Sequence, residues 1–366
     1  MTATWCCGIV GTSREVDEGQ REGSKDVKAQ MSRLKLYLIA ALVAIETIVL
    51  AAPAHASFGA AQAPSTPSSS AGSAFPPLLG YTDSSGNFFV KQGLFGSWIR
   101  EASNVKDSRG AVLTYTPGGS LRIGFLDTSG NFFVKEGALN AGWTLETSSA
   151  QGIALSADLI GFSDSAGRAF VKRGSVNAGW VLEATLSSPI FMALTYTRAG
   201  LLRIGLLVGG LSTGDDFLVK EGSLTAGWTL EAHSAIDIAL SGDLIAQQTH
   251  PLSQLRNLYV KQGPLAAPWA FEQTGNLSMA LTYTQPGSLR IGALDANHGF
   301  QIKDGSLTAD WSPAGYGDSS FVDGIGLSGD LIAWVDESLR FMVATSPQSA
   351  PILEANPVSS FALAGG

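Results

Sequence analysis

Leu121-Arg122-Ile123-Gly124-Phe125-Leu126-Asp127-Thr128-Ser129-Gly130-Asn131-Phe132-Phe133-Val134-Lys135-Glu136-Gly137 is the stretch that decides the fold. Gly142-Trp143-Thr144-Leu145-Glu146 and Gly152-Ile153-Ala154-Leu155-Ser156 complete it. Four short apolar runs are separated by polar, glycine-bearing turns. Asp127 to Gly130 reads as a hairpin turn, with glycine supplying the positive φ. No run carries a helical period. The expected unit is four short antiparallel strands, the last of them Gly152 to Ser156, in about 42 residues.

The unit recurs. Phe-Phe-Val-Lys at 88–91, Phe-Phe-Val-Lys at 132–135, Ala-Phe-Val-Lys at 169–172, Phe-Leu-Val-Lys at 217–220, Leu-Tyr-Val-Lys at 258–261 and Phe-Gln-Ile-Lys at 300–303 are each followed by a tryptophan. These are Trp98, Trp143, Trp180, Trp228, Trp269 and Trp311. The lysines are 44, 37, 48, 41 and 42 residues apart, a period in the range of propeller blades. The lysine-to-tryptophan spacing is 7 once and 8 five times, so the turn between these strands is fixed. A seventh, degenerate unit has Phe341-Met342-Val343, with Ile352 expected in the tryptophan's place. Residues 78 to 366 then predict an all-β, seven-bladed β-propeller.

Two subtypes alternate. Leu-Thr-Tyr-Thr followed by Leu-Arg-Ile-Gly occurs at 113–124, 194–205 and 281–292. Ile-Ala-Leu-Ser or Ile-Gly-Leu-Ser followed by Asp-Leu-Ile occurs at 153–160, 238–245 and 325–332. A duplicated two-blade unit accounts for this but favours an even blade count. The final Phe361-Ala362-Leu363-Ala364-Gly365-Gly366 resolves the conflict, because it resembles the strand that elsewhere leads into a Leu79-Gly80-Tyr81-type run. It is expected to join the first blade and close the ring, which removes open sheet edges.

The Val-Lys-Glu-Gly and tryptophan units resemble secreted bacterial lectin-like β-propeller repeats, and are loosely similar to the tachylectin and tectonin class. The likeness spans nearly the whole chain after the leader, although the class's own Trp and Gly signatures are not reproduced letter by letter. It implies carbohydrate binding at repeated sites between or within blades.

Ahead of the repeats, residues 31–56 read as a secretory signal peptide: Arg33 and Lys35, an apolar stretch from Leu36 to Ala52 broken by Glu46, and Ala54-His55-Ala56 for cleavage. A membrane anchor is the competing reading. Residues 1–30 are polar and patternless, and are expected to be a mis-called upstream extension. Residues 57–77, rich in Ala, Ser and Pro, read as a flexible linker. The expected location is therefore extracellular.

The 366 residues carry a net charge of −8, which argues against nucleic-acid partners. Both cysteines, Cys6 and Cys7, lie in the first segment, so disulfides, structural zinc and cysteine nucleophiles are excluded from the repeats. The six repeat tryptophans are candidate stacking platforms for sugar rings, or else blade packing. Lys135, Glu136, Lys220 and Glu221, with the related pairs at Lys91, Lys172, Lys261 and Lys303, are candidate hydroxyl binders, or else blade-to-blade ion pairs. Arg122, Arg203 and Arg290, beside Tyr115, Tyr196 and Tyr283, are candidates restricted to one subtype, or else cross-blade bonds. The Asp-x-x-Gly turns at Asp83, Asp127 and Asp164 lack the carboxylate density of calcium loops. Gly210-Leu211-Ser212-Thr213-Gly214 matches a nucleophile motif outside its strand-to-helix context. His233, His250 and His298 lack metal-ligand spacing. No cofactor or metal is expected. The sequence predicts a secreted, non-enzymatic protein that binds glycans or cell-surface polysaccharide through repeated weak sites. The alternatives are a protein-binding scaffold and a propeller hydrolase or lyase.

Overall fold

The computed structural model describes residues 75–106, 110–186, 191–209, 215–249, 256–314 and 322–365. The expected upstream extension, signal peptide and most of the linker lie outside these residues, as do Cys6, Cys7, His250 and the Gly210–Gly214 motif. Among the described residues there is no α-helix, and the fold is all-β and propeller-like.

The chain begins with β1 (Leu78–Thr82), β2 (Phe88–Gln92) and β3 (Ile99–Ala102). Next come β4 (Ala111–Tyr115), β5 (Leu121–Leu126), β6 (Phe132–Gly137) and β7 (Thr144–Thr147), then β8 (Ala150–Ser156), β9 (Leu159–Asp164), β10 (Arg168–Arg173) and β11 (Val181–Thr185). A larger sheet holds β12 (Phe191–Tyr196), β13 (Leu202–Val208), β14 (Asp215–Gly222), β15 (Trp228–Ser241), β16 (Leu244–Thr249), β17 (Asn257–Gln262) and β18 (Ala270–Thr274). Then follow β19 (Ser278–Tyr283), β20 (Leu289–Leu294), β21 (Phe300–Gly305) and β22 (Ser312–Pro313). The last are β23 (Val322–Ser328), β24 (Leu331–Asp336), β25 (Phe341–Ala344), β26 (Ile352–Ala355) and β27 (Ser360–Ala364).

Five sheets are four-stranded and antiparallel. The seven-stranded sheet divides at the 14-residue β15, which is the last strand for β12–β14 and the first for β16–β18. β27 pairs with β1, Leu363 opposite Leu79 and Phe361 opposite Tyr81, so the chain's last strand lies in its first sheet. The strands β4, β8, β12, β15, β19, β23 and β27 touch one another in that order, and β27 touches β4 in turn.

The repeat frame needs one correction. Gly152–Ser156, expected to end the unit begun at Leu121, belongs to β8, which pairs with β9 and opens the following sheet. The chain thus leaves each sheet by its outermost strand and enters the next by its innermost. Second strands such as β5, β9 and β20 are buried along their whole length, because a neighbouring sheet covers each face. That explains their unbroken apolar runs. Gly124 sits mid-strand in β5 because the neighbouring sheet comes so near: a Cβ there would stand 3.1 Å from the Leu155 side chain of β8. Gly130 has a φ of 87°, as its hairpin turn requires.

β1 begins at Leu78, and two residues just ahead of it contact β4. Phe75 stacks on Tyr115 at 5.0 Å, and the Pro76 carbonyl accepts a hydrogen bond from the Tyr115 hydroxyl.

Candidate functional site

The candidate residues converge on the junctions between neighbouring sheets, and a β-bulge builds six of them. In the β2–β3 pair, Phe88 faces Ala102 but Phe89 faces Arg100, so Glu101 is the extra residue. The same slip leaves Glu146 between Leu145 and Thr147, Glu183 between Leu182 and Ala184, and Glu231 between Leu230 and Ala232. It recurs at Glu272 and at Glu354. A bulge turns one side chain out of the sheet's alternation. Here it points a glutamate at the next sheet.

Each glutamate meets the lysine of the Val-Lys or Ile-Lys run that follows it around the structure. The pairs are Glu101–Lys135, Glu146–Lys172, Glu183–Lys220, Glu231–Lys261, Glu272–Lys303 and Glu354–Lys91. All twelve side chains are at most 7% exposed. A buried ammonium has three donors to satisfy. The first goes to the carboxylate. The second goes to a loop carbonyl, as from Lys220 to Leu224 (2.9 Å) and Lys303 to Leu307 (3.0 Å). The remaining direction faces the repeat tryptophan, with Nζ 4.6 Å from the Trp143 and Trp180 rings and 5.1 Å from Trp311.

The tryptophans are half-buried and bind the junction from the other side. The indole N–H of Trp98, Trp228 and Trp311 donates at 3.2 Å to the backbone carbonyl of Glu354, Glu183 and Glu272 respectively. Trp98, Trp143 and Trp180 also stand edge-on to Tyr81, Phe125 and Phe162 at 4.7–4.8 Å. Every repeat tryptophan keeps part of its surface open to solvent.

One oxygen of each bulge glutamate, Oε2, takes the lysine. The other, Oε1, is buried without a protein partner at all six junctions. Burial pushes the Glu183 and Glu272 carboxyls above the usual range despite the hydrogen bond and charge of Lys220 and Lys303.

The arginines serve alternate junctions. Arg122 binds Glu136 within its own sheet and reaches the Ala157 and Gly174 carbonyls of the next one, at 3.2 and 2.6 Å. Arg203 does the same with Glu221, Gly242 and Gly263, and Arg290 with Asp304 and the Asp330 carbonyl. The tyrosine of the same subtype reaches backwards: Tyr196 donates to Asp158, and Tyr283 meets Gln262. Burial and the Asp158 carboxylate push the Tyr196 hydroxyl far up. The subtype with Arg and Tyr therefore clamps both of its neighbours.

Sequence reasoning named the glutamates after the lysines, Glu136 and Glu221, and missed the bulge glutamates. Their signal is plain once sought: Trp-x-x-Glu at 98–101, 143–146, 180–183, 228–231 and 269–272. The seventh unit also needs correction. Val343 pairs with Ile352 as Val90 pairs with Ile99, so Pro351, not Ile352, replaces the tryptophan.

The Asp-x-x-Gly carboxylates are consumed by their own turns. Asp127 Oδ1 accepts from the amides of Ser129 and Asn131, both at 2.8 Å, and Oδ2 from the Asn131 side chain. At Asp83, burial pushes the carboxyl up, but its bonds to Asn87 and Ser85 and the charge of Arg100 outweigh it and hold it low. His233 pairs with Asp216 at 2.7 Å on the surface. Among the described residues, no three His, Cys, Asp or Glu side chains cluster as a metal would require.

Two cavities matter. One, of about 300 Å³, lies between β3 and the β5–β6 hairpin and is lined by Glu101, Asn104, Asp127, Ser129, Phe133 and Trp143 among others. The second, of about 690 Å³, is open to solvent and is lined mainly by residues of β4, β8, β12, β15, β19, β23 and β27, with Val335, Leu339, Val358 and Ser359 beside them. Among the described residues, no Asp, Glu, Lys, Arg or His lines it.

No family model matches the chain, and no curated protein does. Solved structures do. A structure from work on two prolyl endopeptidases aligns with a TM-score of 0.51 at 11% identity, over 91% of this chain and 56% of that one. A structure of Kap60 bound to yeast RCC1 (Prp20) aligns at 0.50 with 8% identity, over 87% and 91%. Apo AztD from Citrobacter koseri aligns at 0.48 with 10% identity, over 80% and 99%. At these identities the first two likenesses show the fold alone, and that fold is all-β and propeller-like.

Proposed function

We propose that the sheets form one closed seven-bladed propeller, and that the protein is an exported, non-enzymatic module that binds neutral glycans or cell-surface polysaccharide. The ring is supported by the β27–β1 pairing and the cyclic contacts of the innermost strands. The Glu354–Lys91 pair ties its two ends by the same contact as the other junctions. The observation that carries the function is the partly open tryptophan repeated at six junctions, with a cavity at Trp143 rimmed by hydroxyl and amide side chains. An indole with nearby hydrogen-bonding groups suits the apolar face and hydroxyl edge of a sugar ring. Lys135, Lys220, Arg122, Arg203 and Arg290 act in this reading as the groove's supports, since their donors are already engaged. Several weak sites on one rigid body gain strength on a multivalent surface.

A glycan array read at several protein concentrations tests this. Saturable binding to one class of neutral glycan, weakened in Trp143→Ala while the fold persists, is the expected result. No glycan bound at any density overturns it. A protein-binding scaffold is the second reading. It is favoured by Leu145, Leu182, Leu230, Phe271 and Leu353, all about half exposed at equivalent outer-strand positions. Array silence together with stoichiometric capture of one defined protein would select it.

A further inference from the structure

The cavity on the axis is separate from the junctions, and its chemistry differs from theirs. Most of its side chains are those of the innermost strands: Val112, Leu155, Met192, Leu240, Ile325 and Phe361 are representative. Further aliphatic residues, alanines and glycines fill the other positions, and Ser278, Ser359 and Ser360 supply the polar side chains. Six of the seven innermost strands end their sheets, so their inner edges offer backbone N–H and C=O groups as the other hydrogen-bonding partners. In a chain of net charge −8, a wall drawn from seven strands with no ionisable group among the described residues is a definite chemical environment.

We infer that this cavity is a binding site for an uncharged, largely apolar small molecule with one or two hydrogen-bonding groups, such as a long-chain alcohol, ester or amide. The volume, about 690 Å³, falls in the range of roughly 300–1,000 Å³ used for small ligands. An apolar body covers the Val, Leu, Ile and Phe side chains. A single alcohol or carbonyl group meets a serine hydroxyl or a strand edge. A carboxylate or ammonium finds no counter-charge there and loses its hydration on entry, so ionised amphiphiles are rejected. The selectivity is for neutrality as much as for apolarity.

The test uses a neutral naphthylamine fluorophore titrated into the purified chain, with dodecanol and dodecanoate as competitors at neutral pH. Saturable, stoichiometric fluorescence enhancement is expected. Dodecanol should displace the probe, and dodecanoate should do so at least about tenfold more weakly. Ala193→Phe and Ser360→Phe each set a ring at the cavity wall from a different strand. Each should abolish probe binding with an unchanged melting temperature, and two variants guard against one of them unfolding. Absence of saturable enhancement, equal competition by the anion, or probe binding indifferent to both folded variants would overturn the inference.

Discussion

Ala314 and Ala344 share one buried apolar cluster, at the two positions that the other six junctions give to a glutamate and a lysine. Ala314 stands three residues after Trp311, where Trp-x-x-Glu would put its carboxylate. Ala344 follows Phe341-Met342-Val343, where the lysine would be. The two charges are missing together. A buried ion of either sign left alone would be costly, whereas an apolar pair of matching shape is not.

This predicts an asymmetric mutational cycle at the Glu101–Lys135 junction. Glu101→Ala or Lys135→Ala alone should cost about 3–5 kcal/mol, because each strands a buried charge. The double replacement should cost clearly less than the sum. Denaturant unfolding of the four proteins measures the coupling, and strict additivity would show that the charges act independently.

Trp143 and Trp228 offer a second test. If the indole is chiefly junction packing, Trp228→Ala should lose about 3–5 kcal/mol, while the fraction still folded binds normally. If the open part of the ring contacts ligand, binding to a glycan surface should fall stepwise as tryptophans are removed, with smaller stability losses. Melting curves and surface binding on the same samples separate the two.

Removing residues 360–366 deletes β27 and bares the inner edge of β1. The expected outcome is a large drop in melting temperature for the whole domain, with increased self-association. An unchanged melting curve would mean that this pairing contributes nothing to stability.

Acid behaviour should separate two sets of carboxyls. Asp83 and Asp164 are held below the usual range by hydrogen bonds that outweigh their burial, with arginine help. Their contribution is present above about pH 4 and is lost as pH falls through the lowered folded values. Asp164→Asn should therefore be less stable at neutral pH and lose less on acidification. Glu183 and Glu272 are shifted upward by burial, so their titration favours the folded state below about pH 4.3, a contribution lost as pH rises through the raised values. Glu183→Gln should remove that slope. Denaturation midpoints measured from about pH 3 to 7 follow both.

Arg203→Lys is predicted to cost about 1–3 kcal/mol despite keeping the charge. The guanidinium serves Glu221, Gly242 and Gly263 at once, and an ammonium cannot span them. Arg290→Lys should behave alike, and thermal unfolding of both is the measurement.

Strand content, the hairpin turns and the repeat period were all legible in the sequence, because turn residues and alternating apolar runs are local signals. The frame was harder. Gly152–Ser156 follows Trp143 in sequence but pairs with β9, and nothing local distinguishes the last strand of one sheet from the first of the next. The lysines were visible, yet their partners were hidden. A bulge is one surplus residue in a pairing, and a single strand does not reveal its register. Glu101 therefore reads as an ordinary outer-strand glutamate until Phe88 and Phe89 are set against Ala102 and Arg100. The apolar axial cavity was illegible for a similar reason, since it exists only where seven distant segments converge.

The bulge also gives the sheets a direction. In the five units from β1–β3 to β16–β18 one side presents a glutamate and the other a lysine under an indole, so each fits its successor head to tail and never face to face with its like. The sheet β19–β22 lacks the glutamate and β23–β26 lacks the lysine, and the two absences meet, so no junction is left with an unmatched charge. A polypeptide cut between two sheets would carry complementary ends, and its two fragments should reassemble when mixed. A fragment on its own has the geometry of a monomer unit, able to add copies of itself into open filaments.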